Sequence, residues 1–466
     1  MLAAMESWDA VETAARIRTR DVSPVEVIDA AIARAEAQGD LGAIVTQTFA
    51  RAREEAPRAR GPLAGVPTFV KDLAHVEGVR IGWGTRAVAG VVSRRSDPIV
   101  RTLAAVGLVS LGKSATPELG LTATTEPLVG PPCRNPWDRS RSTGGSSGGA
   151  AALVASGVVP IAHASDGGGS IRIPAASTGL VGLKPTRGRL DMDGSSLLPV
   201  NVAVDGVLSR TVRDTIAFWS AIDALRRPRR PIGPVPEEPR RVLRIGLFTS
   251  SPLGGSVSPE VREAVERAGR LCEELGHRVE PIACPLPERA IEDFLRYWTL
   301  IAWLQDRLGP LLVDRRFDRT RLEPWTLALS AHCAREPREI LAAVRGLRAF
   351  AHAHRERLTT HDLVLGPVLA HPPPPLGHLA TDAPFEVSME RLREHCPFTG
   401  LLNATGLPAL SLPLGRTREN LPIGVQLLGA ALEERTLLSL ALQLERVAPW
   451  PLVAPRPLRD RPGAAP

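Results

Sequence analysis

Apolar and polar positions change period several times along this chain. Ser23-Pro24-Val25-Glu26 opens the first clear segment. A serine followed three residues later by glutamate, with proline between them, is a capping box with Pro at the first helical position. Val25, Ile28, Ile32 and Ala35 then recur on one face of a helix. The apolar run Val66 to Val70 predicts a short strand that leads into Lys71-Asp72. Ile99 to Val106 reads as helix, and Gly107 to Leu111 as a buried strand.

From Arg139 to Gly149 this periodicity gives way to glycine and serine. It resumes as an Ala-rich helix, Ala150 to Ser156, and a strand, Val158 to Ala162, followed by a second Gly-rich loop, Ser165 to Ser170. Strands and helices alternate to about Leu225, and an Arg/Pro-rich linker runs on to about Arg241. Val242 to Phe248 is a strand, and Pro259 to Leu275 an amphipathic helix. Residues 285–360 are mostly helical and carry Trp298, Trp303 and Trp325. Pro372 to Pro375 marks an irregular loop, after which short strands return and Leu432 to Val447 closes the pattern as a helix. Such alternation predicts an α/β fold with a mixed central sheet.

Composition narrows the function classes. With 466 residues, 44% hydrophobic and 23% charged, the chain can bury a large core without staples. The N-terminus lacks a basic stretch leading into an apolar one, so no signal peptide is expected. The longest apolar stretch, Gly149 to Ala164, is broken by Ser156, Pro160 and His163 and is too short to span a membrane. A cytoplasmic location is expected. Cys133, Cys272, Cys284, Cys333 and Cys396 are odd in number and form no CxxC pair, which suits a reduced compartment with neither disulfides nor a zinc site. The ten histidines are equally dispersed, and no metal is expected. A net charge of +7 invites a nucleic-acid reading, but the arginines are interspersed among 50 acids. Their densest run, Arg226 to Arg230, lies in the Pro-rich linker and reads as a solvated loop, so no nucleic-acid partner is expected.

Of the 57 basic residues, only Lys71, Lys113 and Lys184 are lysines. A surface lysine is usually replaceable by arginine, so each survivor marks a candidate place where arginine cannot serve. Arginine cannot give up its proton in a protein, whereas lysine can. A lysine acting as a base is one such place, and a tightly packed ammonium is the other.

Two motifs mislead. Gly107 to Ser114 fits the phosphate-loop pattern GxxxxGK[ST], but its intervening Leu-Val-Ser-Leu reads as the strand itself, and Pro117 interrupts the helix that should follow. Gly82-Trp83-Gly84-Thr85-Arg86-Ala87 satisfies GxGxxA without a clear strand–turn–helix around it. Neither predicts a nucleotide.

The informative glycines lie elsewhere. Gly144 to Gly149 could be a flexible linker, yet a well-patterned helix and strand follow at once. In Asp166-Gly167-Gly168-Gly169-Ser170-Ile171-Arg172, three glycines let successive amides point into one concavity, which suits an oxyanion, and a serine at its edge suits a nucleophile. A tight turn or an anion nest would look the same. His163 lies on the strand before this loop and reads as a packed core residue.

These tracts together resemble the amidase signature family. The likeness is carried by Ser142 to Gly149, Ser165 to Pro174 and Gly182 to Gly188. It extends upstream to Gly65–Asp72 and Gly112–Glu118, and downstream to Leu208–Asp214, Asn403–Ala409 and Leu421–Gln426. It spans nearly the whole chain and is weakest at 226–395. The resemblance implies one amidase signature domain over 1–466, with a mixed central β-sheet covered by helices on both faces. Within it, 62–225 would be the signature core, 226–241 a linker, 242–395 a variable, mostly helical substrate-side region, and 396–448 a return to the core. It implies a Ser–Ser–Lys triad: Ser170 as nucleophile, Ser146 as a bridging serine after a cis peptide bond, and Lys71 as the ultimate base. The backbone amides of Gly167, Gly168, Gly169 and Ser170 would hold the oxyanion, and Ser147, Asp166 and Arg172 would brace the two loops. For this chemistry Lys71 must be neutral near pH 7, so burial must lower its pKa by roughly 3 units. No cofactor is implied. The wording of Ala162–Pro174 and of Thr125-Glu126-Pro127 is most similar to the 6-aminohexanoate-cyclic-dimer hydrolase-like branch. The expected partner is a small-molecule amide, with no membrane and a possible homodimer. Two rival readings are a glutaminase subunit of a tRNA-dependent amidotransferase and a non-catalytic binding protein. Pocket walls are expected from 285–395, with Trp298 or Trp303 lining a pocket or packing in the core.

Overall fold

A computed structural model describes residues 4–88, 90–190, 198–239 and 241–455; Arg240 of the expected linker lies outside them. The predicted capping box is present. The Ser23 hydroxyl accepts from the Glu26 N–H at 3.2 Å and the Glu26 carboxylate accepts from the Ser23 N–H at 2.7 Å, opening the helix Pro24–Ala37. Its buried face holds Ile28, Ile32 and Ala35 as expected, but is completed by Val27, Ala30 and Ala31, while Val25 is only half-buried.

Thirteen strands occur among the described residues. β1 (Ile44–Gln47), β2 (Pro67–Lys71) and β3 (Val109–Ser114) form a small sheet with β3 in the middle. β4 (Arg134–Asn135) and β5 (Asp138–Ser142) form a hairpin. β6 (Ile161–Asp166), β7 (Val181–Lys184), β8 (Val204–Ser209), β9 (Arg244–Leu247), β10 (Arg278–Pro281), β11 (Leu363–Pro367), β12 (Ala409–Arg416) and β13 (Pro422–Gly429) build one large sheet. Its order is β10-β9-β11-β13-β12-β7-β8-β6. Pairing is parallel across β10, β9 and β11 and antiparallel from β11 to β6, so the sheet is mixed, as expected. Every residue of β6, β7, β8, β11 and β13 is buried, which is why these strands read as continuous runs rather than alternating ones. Helices Arg172–Thr178, Val212–Arg226, Pro259–Glu274 and Glu434–Val447 flank the sheet. No helix among the described residues is long and apolar enough to cross a membrane.

Val66–Val70 and Val242–Phe248 are observed as Pro67–Lys71 and Arg244–Leu247, and two further strands depart more from their sequence assignment. The expected Val158–Ala162 strand begins only at Ile161 and runs to Asp166. Pro160 has no N–H to give a ladder, so pairing starts after it. The expected Gly107–Leu111 strand is displaced to Val109–Ser114, because Gly107 turns at φ +101° and Gly112, Lys113 and Ser114 pair with β1. That displacement removes the phosphate-loop reading: Gly112-Lys113-Ser114 is strand, and the Lys113 ammonium is tied to Asp72. Residues 82–87 are turn and bend without a strand–turn–helix unit. The 285–360 region is helical as predicted, in Glu288–Leu312, Pro324–Arg335 and Pro337–Ala353.

Candidate active site

β2 carries Lys71 at its C-terminal end into a space closed on all sides; its side chain is fully buried. The Lys71 Nζ lies 2.8 Å from Ser146 Oγ, 3.0 Å from Ser165 Oγ and 3.4 Å from the Ser165 carbonyl oxygen. A neutral amine has two N–H groups and one lone pair. Donation to the two Ser165 oxygens leaves the lone pair for the Ser146 hydroxyl proton. Burial pulls the Lys71 ammonium down to about 7, although the Asp166 and Asp205 carboxylates oppose the shift. The backbone is pinned too: the Lys71 N–H donates to His163 Nδ1 at 3.2 Å, and His163 Nε2 lies 3.1 Å from Asp205 Oδ1. With Nδ1 accepting, the ring proton sits on Nε2, and neither nitrogen is offered to a serine. His163 is thus the packed strand residue that its place suggested.

Ser146 and Ser170 come from two loops that glycine shapes. The Gly145–Ser146 peptide bond is cis. A Cβ at Gly145 would stand 2.3 Å from the Thr124 carbonyl oxygen, so no side chain fits there. Ser147, whose Oγ donates to the Ser165 carbonyl at 3.2 Å and accepts from the Ser165 N–H at 3.4 Å, joins this loop to β6. Downstream, β6 ends at Asp166 and the chain turns through three glycines into the helix Arg172–Thr178. Gly169 has φ +134°, and a Cβ there would meet Thr399 Oγ1 at 2.5 Å. Its N–H donates to Asp166 Oδ1 at 2.7 Å and is engaged there, so it is not offered to an oxyanion in this structure.

Asp166 and Arg172 form a fully buried pair, Nε to Oδ2 and Nη2 to Oδ1 both at 3.0 Å. Arg172 also donates to Gln426 Oε1 at 2.8 Å, Asn403 Oδ1 at 2.7 Å and the Thr399 carbonyl at 3.0 Å. Asn403 Nδ2 returns to Asp166 O at 2.8 Å and Oδ1 at 2.9 Å. Burial alone would raise the Asp166 carboxyl, but Arg172, Lys184 and Asn403 outweigh it and hold it well below the usual carboxylate range. The network locks the glycine turn from beneath.

Ser170, 7% exposed, lines a cleft of about 670 Å³ including its open mouth, together with Gly145 and Gly168. The opposite wall is apolar: Ile291, Phe294 and Trp298 from the helix Glu288–Leu312, with Leu392 and Leu401. Of these, Ile291, Phe294, Trp298 and Leu392 fall in the expected 285–395 stretch and Leu401 outside it; Trp298 lines the cleft while Trp303 is not among its lining residues.

The other two lysines are equally buried but differently engaged. Burial, aided by Arg172, takes Lys184 down to about 7 as well, yet its Nζ donates to the Pro185 carbonyl at 2.9 Å. Lys113 is paired with Asp72. Of the three, Lys71 is the one whose ammonium meets serine hydroxyls. The sequence assigned no role to Ser165, Thr399, Asn403 or Gln426, although Ser165, Asn403 and Gln426 lay in tracts that carried the resemblance. Thr399, Asn403 and Gln426 contact Arg172 across 227 to 254 residues, and Ser165 contacts Lys71 across 94, distances that no local pattern reports.

The fold therefore sets two Gly/Ser loops over a buried lysine at one edge of a mixed sheet, and known proteins share this chain's sequence and fold. The family model described as Amidase matches residues 26–438. The "Putative amidase AmiC" of Mycobacterium leprae is 42% identical over 453 residues, covering 96% of each chain. The 6-aminohexanoate-cyclic-dimer hydrolase of Paenarthrobacter ureafaciens is 35% identical over 492 residues, covering 97% of each. A solved structure of 6-aminohexanoate cyclic dimer hydrolase superposes with TM-score 0.88 at 31% identity, covering 97% of this chain and 99% of that one. The chain belongs to the amidase family, whose members hydrolyse amides.

Proposed function

We propose that the protein cleaves a carboxamide C–N bond through an acyl-enzyme on Ser170, with Ser146 and Lys71 as a proton relay. Lys71 Nζ accepts the Ser146 hydroxyl proton as Ser146 Oγ accepts the proton of Ser170, and Ser170 Oγ bonds to the amide carbon. The negative charge on the carbonyl oxygen is held by the amides of Gly167, Gly168 and Ser170. The proton returns from Lys71 through Ser146 to the substrate nitrogen, the C–N bond breaks and the amine leaves. Water then attacks the ester by the same relay, releasing a carboxylic acid and restoring Ser170. Atoms and charge balance with water as the sole co-reactant.

The observation that carries this reading is the 2.8 Å contact between a fully buried Lys71 and Ser146. A lysine held near 7 can take a proton at neutral pH, which an arginine in its place could not. Ser170→Ala is the direct test. Hydrolysis of amides should fall by at least about 10⁴-fold, with the melting temperature near that of the parent. Mass spectrometry of the parent during turnover should show the acyl group on the peptide bearing Ser170. An acyl adduct elsewhere, or a Ser170→Ala protein with full activity, would remove Ser170 from the role.

A further inference from the structure

The cleft beside Ser170 has a chemical character that the relay does not use. Phe294 and Trp298 stack with ring centroids 5.8 Å apart and planes at 28°. Both rings lie against the bare backbone of the glycine turn. A Cβ at Gly167 would stand 3.4 Å from Trp298 Cη2, and one at Gly168 would stand 3.3 Å from Phe294 Cζ. Trp298 is held by its polar edge, since Nε1 donates to the Leu121 carbonyl at 3.0 Å. That bond turns the six-membered ring of the indole toward the glycines, so the aromatic wall is pre-shaped. Arg393 is the one charged side chain among the described lining residues; it is 36% exposed, and its Nη1 pairs with Glu292 at 2.5 Å. A carboxylate or ammonium seated against these two rings would give up its hydration to apolar surface, which is costly. An apolar or aromatic group would instead bury surface and stack.

We infer that the site selects an uncharged amide bearing an apolar, preferably aromatic substituent, with Phe294 and Trp298 setting that preference. The inference rests on the amide-hydrolase reading of Ser170 and deepens it. It also separates the chain from a glutaminase, whose substrate carries both an ammonium and a carboxylate.

The test compares ammonia release by the full chain from 3-phenylpropionamide, butyramide and glutamine. The kcat/KM for 3-phenylpropionamide should exceed that for butyramide by at least about tenfold, and glutamine should fall at least about 100-fold below it. Phe294→Leu and Trp298→Leu should each collapse the aryl-to-alkyl ratio to within about threefold. Melting curves show whether each variant folds, and the ranking of substrates by the parent decides the matter if one does not. Glutamine turned over as well as 3-phenylpropionamide would overturn the inference while leaving amide hydrolysis intact. An unchanged ratio in both folded variants would remove Phe294 and Trp298 from the role. No turnover of any of the three, or of an anilide, would overturn the amide-hydrolase reading and this inference with it.

Discussion

The two walls of the cleft are held by opposite means. On the side of β2 and β6, buried polar groups are matched one by one: Lys71 with Ser146 and Ser165, Asp166 with Arg172, Arg172 with Gln426 and Asn403. On the side of the helix Glu288–Leu312, Ile291, Phe294 and Trp298 sit by packing, with one indole hydrogen bond. Matched polar groups in a low dielectric tolerate little change, because each deletion leaves a partner unpaired. Packed apolar surface accepts changes of shape at modest cost, since volume and not direction is what must be conserved. A family can therefore keep one chemistry and vary its substrate by changing the second wall.

The sharpest way to break this contrast is at Arg172. Arg172→Met leaves the Asp166 carboxylate buried without its charge partner. It should cost about 3–5 kcal/mol in denaturant unfolding and take activity with it. A loss below about 1 kcal/mol would mean that the network is not what fixes the glycine turn.

Lys71→Arg comes next. It keeps a cation at the end of β2 but cannot accept a proton, so kcat should drop by about 10²- to 10⁴-fold in a folded protein. Near-normal turnover would sink the relay.

The pH profile sharpens the same point. Only the neutral amine can act as a base, so kcat/KM should rise with pH through about 7 as Lys71 loses its proton. Lys184 is drawn to about 7 as well, so it is the control: Lys184→Met should leave that limb in place. A limb that disappears in Lys184→Met would transfer the titration to Lys184.

Ser165→Ala removes one of the two oxygens that take the Lys71 N–H groups while leaving the Ser165 carbonyl. The expected effect is roughly tenfold on kcat, corresponding to about one hydrogen bond. The smallest effect is expected on the helical wall. Leu392→Ala, at a half-buried position in the cleft, should alter unfolding free energy by less than about 1 kcal/mol and act mainly on KM for bulky amides. A collapse of kcat for small amides in that variant would show the two walls to be coupled.

Much of the polar wall was legible before any coordinates. Lys71 stood out because a chain that otherwise uses arginine retained it, and all three surviving lysines lie buried. The glycine tracts marked where backbone must pass too close for a side chain, as Gly145 does beside Thr124. Proline and capping chemistry located helix starts, as at Ser23-Pro24. The misplaced strands show the limit. Val109–Ser114 is defined by its pairing with β1 and β2, and the apolar run alone pointed two residues too early.

What the chain's own chemistry determined was local: which stretches form helix or strand, where glycine is obligatory, and which basic residues could give up a proton. That all three lysines, Lys71, Lys113 and Lys184, are buried is a property of the fold. Which of them would meet a hydroxyl was decided only by the fold. β2 brings Lys71 to a loop 75 residues away, β3 turns Lys113 onto Asp72, and β7 leaves Lys184 on a carbonyl of its own neighbour. Periodicity acts over one or two turns of chain. The choice among three buried amines depends on the order and register of strands, and so on contacts that have no local signature.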